Sequence, residues 1–368
     1  MRVLYISKAM VVASYRSKLR CLARDLTIRA VVPRHWPPHG VEPALPGETW
    51  LQGEPVRFAG RPHLHFYPRL GQVLDTFHPD LVHVDEEPYS LVSAFALNAC
   101  RRRHIPAVLF AAQNIYKRLP PPFNLVRRYA LHRLAGAMAG TDAAGDVLRR
   151  VGYRGRLTVI PQLGVDELQF RPDAARRAAA RAALQVGDGT VVVGFGGRLV
   201  RYKAINLLLE AMARTSDVVL AVAGDGPERA ALARQARTLG LAGRVRFQGY
   251  YPSGAMPEWL AGLDLLVLPS ISTRSIVEQF GRILIEAMAC EVPVLGSRSG
   301  GIPGVIGDAG LLVPEGDVAA LAAAISRLAA APAERRALGR AGRERVLAQF
   351  TQQRIADDTR QFYAEVLA

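Results

Sequence analysis

The sequence predicts an α/β protein with two doubly wound, Rossmann-like domains. Short apolar runs alternate with segments of helical spacing in two consecutive series, a pattern typical of parallel sheets that carry helices on both faces. The chain has 368 residues, which is more than a single hydrophobic core usually supports. Half of the residues are hydrophobic and 21% are charged, so there is enough apolar material for two cores.

The first series of elements predicts an N-terminal domain over residues 1–165. It begins with a β-branched and aromatic run at residues 2–7, followed by a polar loop and a helix around Leu19 and Leu22. Further strands are predicted at TIRAVVP, DLVHVDE and PAVLFAAQN, with a helix over residues 89–103 between the last two.

The second series predicts a C-terminal domain over residues 166–350. It begins with TVVVGFGGR, an apolar strand that ends in glycines, and continues with predicted strands at VVLAVAGDG, RVRFQGY, LDLLVLPS and VPVLGSRSGG. The segment IPQLGVDELQFRPD separates the two series, because its prolines and glycine break regular structure. Residues 351–368 carry apolar positions at helical spacing, such as Ile355 and Phe362, and predict a terminal helix.

The composition is strongly basic and poor in cysteine. A formal charge of +15 and an isoelectric point near 10.3 favour anionic partners, including nucleic acid, acidic lipids and phosphorylated substrates, although much of the arginine excess fits an Ala/Arg/Gly/Pro-rich composition. Cys21, Cys100 and Cys290 lie far apart, which argues against a disulfide framework or a cysteine metal site and favours a reducing compartment. No apolar run approaches the ~20 residues that span a bilayer. We therefore predict a cytoplasmic protein and leave open peripheral contact with the inner membrane face.

Two cations follow the first strand of the second series. The segment GFGGRLVRYK ends a strand with glycines and places Arg198 and Lys203 in the following loop. Glycine lets the backbone approach a ligand closely, and an arginine fork with a lysine point charge can hold a diphosphate. The same residues fit a tight turn with two solvated cations, and the segment alone does not decide between these interpretations.

Two glutamates flank a predicted helix start in VEQFGRILIEAMACEVPVLG. Gly281 precedes the helical run, so neighbouring backbone amides are free to bind an anion. Glu286 follows within the helix and is a candidate for binding a ribose diol, while Glu278 in the loop is a candidate for binding sugar hydroxyls. Glu278 could instead be a helix-start carboxylate stabilised by the helix dipole, but a glutamate within an apolar helix, at Glu286, would then stay unexplained.

Two further turns follow predicted strands, at residues 224–227 and 299–303. Each alone is a generic turn. Because the carboxyl ends of parallel strands meet at one edge of a sheet, we expect these turns to lie beside the two segments above.

Taken together, the segments GRLVRYKAINLLLEA, AGDGPER, FQGYYP, LVLPS, EQFGRILIEAMACEVPV and GGIPGVI resemble the donor domain of family 4 (group 1) retaining glycosyltransferases. The resemblance covers residues 158–350 closely and the N-terminal half loosely, and its most specific element is the glutamate pair around Phe280-Gly281. It implies the GT-B fold, in which two doubly wound domains face each other across a cleft and a C-terminal helix crosses back to the N-terminal domain. It also implies a nucleotide-sugar donor and no metal or other cofactor.

The same resemblance implies roles for individual residues. Arg198 and Lys203 would hold the donor diphosphate and, with Glu278, form the catalytic set. Glu286 would bind the ribose, and backbone near Tyr251 would meet the base. The full predicted donor site is Gly197, Arg198, Lys203, Tyr251, Glu278, Phe280, Gly281, Arg282 and Glu286.

The N-terminal half departs from the family in two places. The loop after the first strand, SKAMVVASYRSKL, lacks the two glycines that members usually carry there, so Lys8, Lys18 or Arg16 are candidates for the contacts on the phosphate or acceptor side. A histidine that many members carry near the middle of this domain is also missing. Gln113 or Asn114, in FAAQNIYKRLPPP, is the candidate replacement.

The stretch FNLVRRYALHRLAGAM, residues 123–138, combines a basic face with apolar residues. It fits a membrane-surface helix, which would suit a lipid-linked acceptor, but such a stretch is more often a helix packed on the sheet with its arginines in water.

The sequence is thus interpreted as a retaining, metal-independent glycosyltransferase that acts on an acceptor hydroxyl of a sugar, lipid-linked sugar or small molecule in glycolipid, polysaccharide or other glycoconjugate biosynthesis. The alternative is a non-catalytic protein of the same fold that binds a nucleotide sugar or another anionic ligand. A nicotinamide-dependent oxidoreductase is disfavoured, because no G-x-G-x-x-G motif follows a strand with an acidic residue ~20 positions later. No nucleic-acid partner is expected.

Overall fold

A computed structural model describes residues 1–38 and 40–368, and its contacts divide the chain into two units. Unit 1 comprises Met1–Leu163 together with Gln352–Ala368, and unit 2 comprises Gly164–Thr351. Among the described residues, unit 1 contains a seven-stranded sheet and unit 2 a six-stranded sheet. All strand pairs are parallel, so the predicted class of two doubly wound α/β domains is confirmed.

Unit 1 is built on strands whose side chains are largely buried on both faces. In chain order the strands are β1 (Arg2–Ile6), β2 (Thr27–Pro33), β3 (Leu51–Glu54), β4 (Leu81–Val84), β5 (Ala107–Ala111), β6 (Gly136–Ala139) and β7 (Leu157–Val159). The helices between them are α1 (Ser17–Asp25), α2 (Leu70–Phe77), α3 (Leu91–Arg101), α4 (Pro121–Leu131) and α5 (Asp142–Arg150). The sheet order is β3-β2-β1-β4-β5-β6-β7, so the winding reverses between β1 and β4. Ligands of doubly wound sheets bind at the carboxyl ends of strands at such a reversal.

Unit 2 has the same kind of core, formed by the apolar runs that the sequence predicts as strands. Its strands are β8 (Val191–Gly196), β9 (Val218–Ala223), β10 (Val245–Gly249), β11 (Leu265–Leu268), β12 (Val294–Ser297) and β13 (Leu311–Val313). Its helices are α6 (Ala174–Ala183), α7 (Ile205–Ala213), α8 (Arg229–Thr238), α9 (Met256–Ala261), α10 (Arg282–Ala289), α11 (Ile302–Ile306), α12 (Val318–Ala330) and α13 (Pro332–Gln349). The order β10-β9-β8-β11-β12-β13 reverses between β8 and β11.

A last helix, α14 (Gln352–Leu367), belongs to unit 1 and packs against α1. Phe362 and Tyr363 are buried in the core of that unit, and the Tyr363 hydroxyl lies 2.5 Å from Nδ1 of His83 on β4. The predicted return of the terminal helix to the N-terminal domain is therefore confirmed.

The structure corrects the interpretation of residues 123–138 as one continuous helical stretch. Helix α4 ends at Leu131, and residues 136–139 form strand β6 between β5 and β7. Residues 136–139 are all buried and pair with strands on both sides, and Gly136 fits there because the ring of Phe362 leaves no room for a larger side chain. Within the part of the chain that the structure describes, none of the helices has the length and apolar character needed to span a bilayer.

Candidate functional site

The loops that follow β8, β9, β11 and β12 all lie at the carboxyl edge of the unit 2 sheet, because these strands are parallel neighbours. Two of the loops approach each other so closely that glycine is required. Gly224 has a φ of +152°, and a Cβ at this position would overlap the carbonyl oxygen of Gly197. A Cβ at Gly226 would lie 2.5 Å from the carbonyl oxygen of Leu199. The turn at residues 224–227 therefore fixes the backbone in front of β8, from which Arg198 and Lys203 project.

Lys203 and Glu278 form an ion pair at this edge. Nζ of Lys203 lies 2.5 Å from Oε2 of Glu278, and the side chains are only 12% and 10% exposed. The hydroxyl of Ser270, two residues after β11, donates to the same carboxylate oxygen at 3.1 Å. Residues 75 positions apart in the sequence are thus joined, and a cation, a carboxylate and a hydroxyl converge on one point.

The loop that carries Glu278 is held by the glycines after β12. The amide of Gly301 donates to the Glu278 carbonyl oxygen at 2.9 Å. Gly300 has a φ of +52°, and a Cβ there would overlap the same oxygen. Gly281 adopts a left-handed conformation, with a φ of +83°, and begins α10. Helix α10 therefore starts directly after this turn, and the positive end of a helix dipole favours an anion there.

Glu286 lies within α10 and is 8% exposed. Its carboxylate oxygen Oε1 lies 3.0 Å from Nε of Arg282, one helical turn earlier. Burial raises the pKa of Glu286 to about 7, against the opposing effect of the Arg282 charge. A carboxyl group with these properties is a strong hydrogen-bond partner for a ligand hydroxyl when the ligand completes its surroundings.

The other predicted donor-site residues occupy different positions around the edge. Arg198 is exposed directly after β8. Phe280 is half-buried and meets Phe350 edge to face, with ring centroids 5.9 Å apart. Tyr251 follows β10 and packs against Trp259. The structure thus joins Lys203 to Glu278 and Arg282 to Glu286. Arg198 lies in the same loop as Lys203, whereas Tyr251 follows the edge strand β10.

In unit 1, Lys8 follows β1 and is bound by a carboxylate that follows β4. The amide of Lys8 donates to Oε1 of Glu86 at 3.0 Å, and its ammonium group pairs with Oε2. Nε2 of His65 lies 3.6 Å from Oε1 of Glu86. Burial raises the pKa of Glu86 to about 7 and lowers that of His65 to about 4. The loop that lacks the usual glycines is therefore anchored by a buried carboxylate at the reversal point of the sheet.

Glu86 belongs to a run of three acidic residues that the sequence analysis did not single out. Asp85 accepts hydrogen bonds from the Ser7 hydroxyl at 2.8 Å and from the Gln162 amide at 2.9 Å. Glu87 accepts from the backbone amide of Ala112 at 3.0 Å. The signal in the sequence is a row of carboxylates directly after an apolar strand, where ligand sites of doubly wound sheets are found.

Two of the basic candidates near β1 lie in the interior. Lys18 is fully buried, and its Nζ has no hydrogen-bond partner among the described residues. Burial lowers the pKa of Lys18 to about 8. Arg16 is also fully buried and pairs with Glu48 at 3.0 Å. Contrary to the expectation for this loop, both residues are buried in the interior of unit 1 and do not reach a ligand. Of the three candidates, Lys8 is the one that reaches the surface, with a side chain that is 26% exposed.

Gln113 and Asn114 follow β5 and are half-buried. The Gln113 side chain accepts from the Tyr89 hydroxyl at 3.2 Å and donates to the carbonyl oxygen of Ile115 at 2.9 Å. Gln113 therefore lines the same edge of unit 1 as Glu87. Across residues 1–38 and 40–368, no group of three or more His, Cys, Asp or Glu side chains is placed to hold a metal ion.

Comparison with known proteins adds two family matches. The family described as Glycosyl transferases group 1 matches residues 176–345, and the family described as Glycosyltransferase Family 4 matches residues 14–167. The first match lies within unit 2. The second lies in unit 1 except for its last four residues, 164–167, which belong to unit 2.

Individual relatives have related names. A GDP-mannose-dependent alpha-(1-6)-phosphatidylinositol monomannoside mannosyltransferase of Mycolicibacterium smegmatis is 38% identical over 189 residues, which cover 49% of each chain. A D-inositol 3-phosphate glycosyltransferase of Streptomyces bingchenggensis is 32% identical over 242 residues, which cover 61% of this chain and 51% of that one. The chain spans about half the length of these two relatives.

Among solved structures, the Anabaena protein HepE in complex with UDP is similar with a TM-score of 0.80 and 20% identity, covering 99% of this chain and all of that one. This likeness, together with the two parallel sheets, identifies the GT-B fold.

Proposed function

The chain belongs to the group 1, family 4 glycosyltransferases, and we propose that it transfers a sugar from a nucleotide diphosphate sugar to an acceptor hydroxyl with retention of configuration. In this proposal unit 2 binds the donor and unit 1 binds the acceptor. The single observation that carries the proposal is the convergence of Lys203, Glu278 and Ser270 beside the start of α10.

The proposed chemistry follows from the charges at this point. As the bond from the anomeric carbon to the diphosphate breaks, negative charge develops on the leaving group, and Lys203, Arg198 and the first amides of α10 stabilise it. A bound diphosphate offers Lys203 a second anionic partner, so the Glu278 carboxylate becomes available to the sugar hydroxyls. Glu286 binds the ribose. Because cations and amides offset the charge of the diphosphate, the proposed reaction requires no metal ion.

The names of the similar proteins suggest which donors to test first. The mannosyltransferase of M. smegmatis is GDP-mannose-dependent, and HepE was solved with UDP, so GDP- and UDP-sugars come before ADP-sugars. According to its name, the M. smegmatis enzyme acts on a phosphatidylinositol mannoside, and this similarity supports a role in glycoconjugate biosynthesis. Cys100 and Cys290 are free thiols, which suits the proposed cytoplasmic location. Peripheral contact with an anionic membrane is part of the proposal for a lipid-linked acceptor.

The proposal is tested first by binding and then by turnover. A thermal-shift screen of the full chain against UDP-, GDP- and ADP-sugars identifies the donor, because a ligand that binds only the folded state raises the melting temperature. Release of nucleoside diphosphate is then measured with and without EDTA, and NMR of the product assigns the anomeric configuration. We expect Lys203→Ala to lower turnover by about 100-fold or more, on the scale of losing one preorganised electrostatic contact.

Arg201→Ala is the matched control, since Arg201 is an exposed cation in the same turn. If Lys203→Ala retained the turnover of Arg201→Ala, the assigned site would be wrong. If the donor bound tightly but was neither transferred nor hydrolysed, the chain would be a non-catalytic binding protein. A product with inverted anomeric configuration would contradict the retaining mechanism.

A further inference from the structure

Unit 1 contains a pocket at the carboxyl ends of β4 and β5 that the sequence did not reveal. It encloses about 340 Å3 of empty space, including its open mouth, between the residues that follow these strands and helices α4 and α5. Most of the wall is apolar, with contributions from Ile115, Leu119, Val147 and Leu148. An apolar wall with a few polar groups is typical of small-molecule sites.

The charged groups that line the pocket are two cations and one carboxyl group, and Tyr89 and Gln113 add neutral polar groups. Arg127 reaches it from α4, and Lys117 lies exposed at its rim. Arg127 donates from Nη2 to Oδ1 of Asn124 at 2.7 Å, whereas its Nε is buried and has no hydrogen-bond partner in the described chain. The guanidinium group thus retains a donor that the protein itself does not satisfy, and a buried donor without a partner is costly unless a ligand supplies one.

Glu87 lines the pocket from the end of β4, close to the sheet. Its carboxyl group accepts from the Ala112 amide at 3.0 Å, which fixes its position. Burial raises the pKa of Glu87 to about 7, so this group carries less than a full negative charge near neutral pH. Lys117 and Arg127 consequently outweigh it, and the pocket as a whole attracts anions.

We propose that this pocket binds the acceptor and that the acceptor carries a phosphate group on an apolar or ring-shaped body. This inference rests on the proposed function and assigns a substrate class to it. The phosphate is held by the Arg127 fork and the Lys117 ammonium, because arginine matches phosphate geometry with two parallel hydrogen bonds. The apolar wall covers the body, and Glu87 accepts a hydrogen bond from a hydroxyl group. An acceptor whose only charge is an amine is repelled by the two cations.

The phosphate could belong to a lipid or to a free polyol. Three probes test whether the pocket binds a phosphate group and which of these two kinds of molecule carries it. Binding to the full chain, without donor, is measured by isothermal titration calorimetry with n-hexyl phosphate, myo-inositol 1-phosphate and n-hexylamine. We expect at least one phosphate to bind and the amine not to bind. Tighter binding of the alkyl phosphate indicates a lipid-linked acceptor, and tighter binding of the inositol phosphate indicates a soluble one.

Variants show whether binding occurs in this pocket. Arg127→Gln is expected to weaken the phosphate probe about 10-fold or more, the scale of a lost charge-assisted contact. Arg128→Gln is the matched control, because Arg128 is the exposed neighbour on the same helix. Lys117→Gln, with exposed Arg118→Gln as its control, repeats the test at the rim and does not depend on the folding of the Arg127 variant.

The inference is overturned if the amine binds as tightly as the phosphates, or if Arg127→Gln and Lys117→Gln behave like their controls. These measurements need neither donor nor turnover. Their failure therefore contradicts the acceptor class alone, whereas failure of every donor to bind or react contradicts the proposed function.

Discussion

Glu286 provides a quantitative test of the donor site. Because its carboxyl group is buried, its ionised form should lower the free energy of unfolding when no ligand is bound. A carboxyl group whose pKa is higher in the folded than in the unfolded state binds its proton more tightly when folded. Its stabilising contribution is complete below pH 4.5, the ordinary pKa, and is lost as the pH rises through about 7. Above that pH the folded chain holds an ionised carboxylate in a buried place. Glu286→Gln removes this cost.

The interval between a pKa of 4.5 and one of about 7 corresponds to about 3 kcal/mol at pH 8. That interval already contains the attraction of the Arg282 charge, whose Nε lies 3.0 Å from the carboxylate oxygen, so the loss of this contact adds no further cost. We therefore expect Glu286→Gln to be about 1–3 kcal/mol more stable than the wild type at pH 8. For a domain of roughly 200 residues, this is an increase of about 2–12 °C in melting temperature.

The assay is thermal unfolding of the full chain at pH 5 and pH 8, without nucleotide. The advantage of Glu286→Gln over the wild type should be small at pH 5 and should grow toward pH 8. Glu291→Gln, which changes an exposed glutamate just beyond α10, should show no such growth. A Glu286→Gln variant that melted below the wild type at pH 8 would refute the argument. If the proposed ribose contact is right, the stabilised variant should also show a smaller thermal shift with the donor.

Two further predictions concern packing. Gly224→Ala should destabilise unit 2 by about 3 kcal/mol or more, because the new Cβ would overlap a backbone oxygen and the φ angle is positive. The control is Gly254→Ala, where a new Cβ would have no atom within 4 Å, so the melting temperature should change little. Equal melting temperatures for the two variants would show that the close backbone approach is not needed. Tyr363→Phe should cost about 1–3 kcal/mol in thermal unfolding, because it leaves a buried ring nitrogen on β4 without its partner, and an unchanged melting temperature would contradict that contact.

The elements that the sequence predicts best are those with long apolar runs. The runs TVVVGFGGR and VVLAVAGDG contain β8 and β9, each six residues long, and their glycines mark where the strands end. Strands β3, β7 and β13 have three or four residues, and their sequences, LQGE, LTV and LLV, carry no periodicity that separates them from a loop. Their pairing in the sheet, rather than their own propensity, makes them strands.

In the candidate site, the motif around Glu278 and Glu286 could be located from the sequence because its parts are close along the chain. The burial of charged groups could not, since it depends on distant neighbours. Lys18 illustrates this difference. It lies four residues before Leu22, and this spacing places it on the buried face of α1. Its positive charge, in contrast, favours a position at the surface. Likewise, only the fold shows that Glu86 reaches Lys8 from another strand.

The return of α14 to unit 1 has a consequence for how the protein is made. Residues 352–367 supply Ile355, Ala356, Phe362 and Tyr363 to a core whose other buried members come from the first 163 residues. During synthesis, the sheet of unit 1 is complete long before its covering helix exists, while every residue of unit 2 has already been made. The first half to be translated therefore cannot complete its core until residues 352–367 have been made, and the surface that α14 covers stays exposed until then.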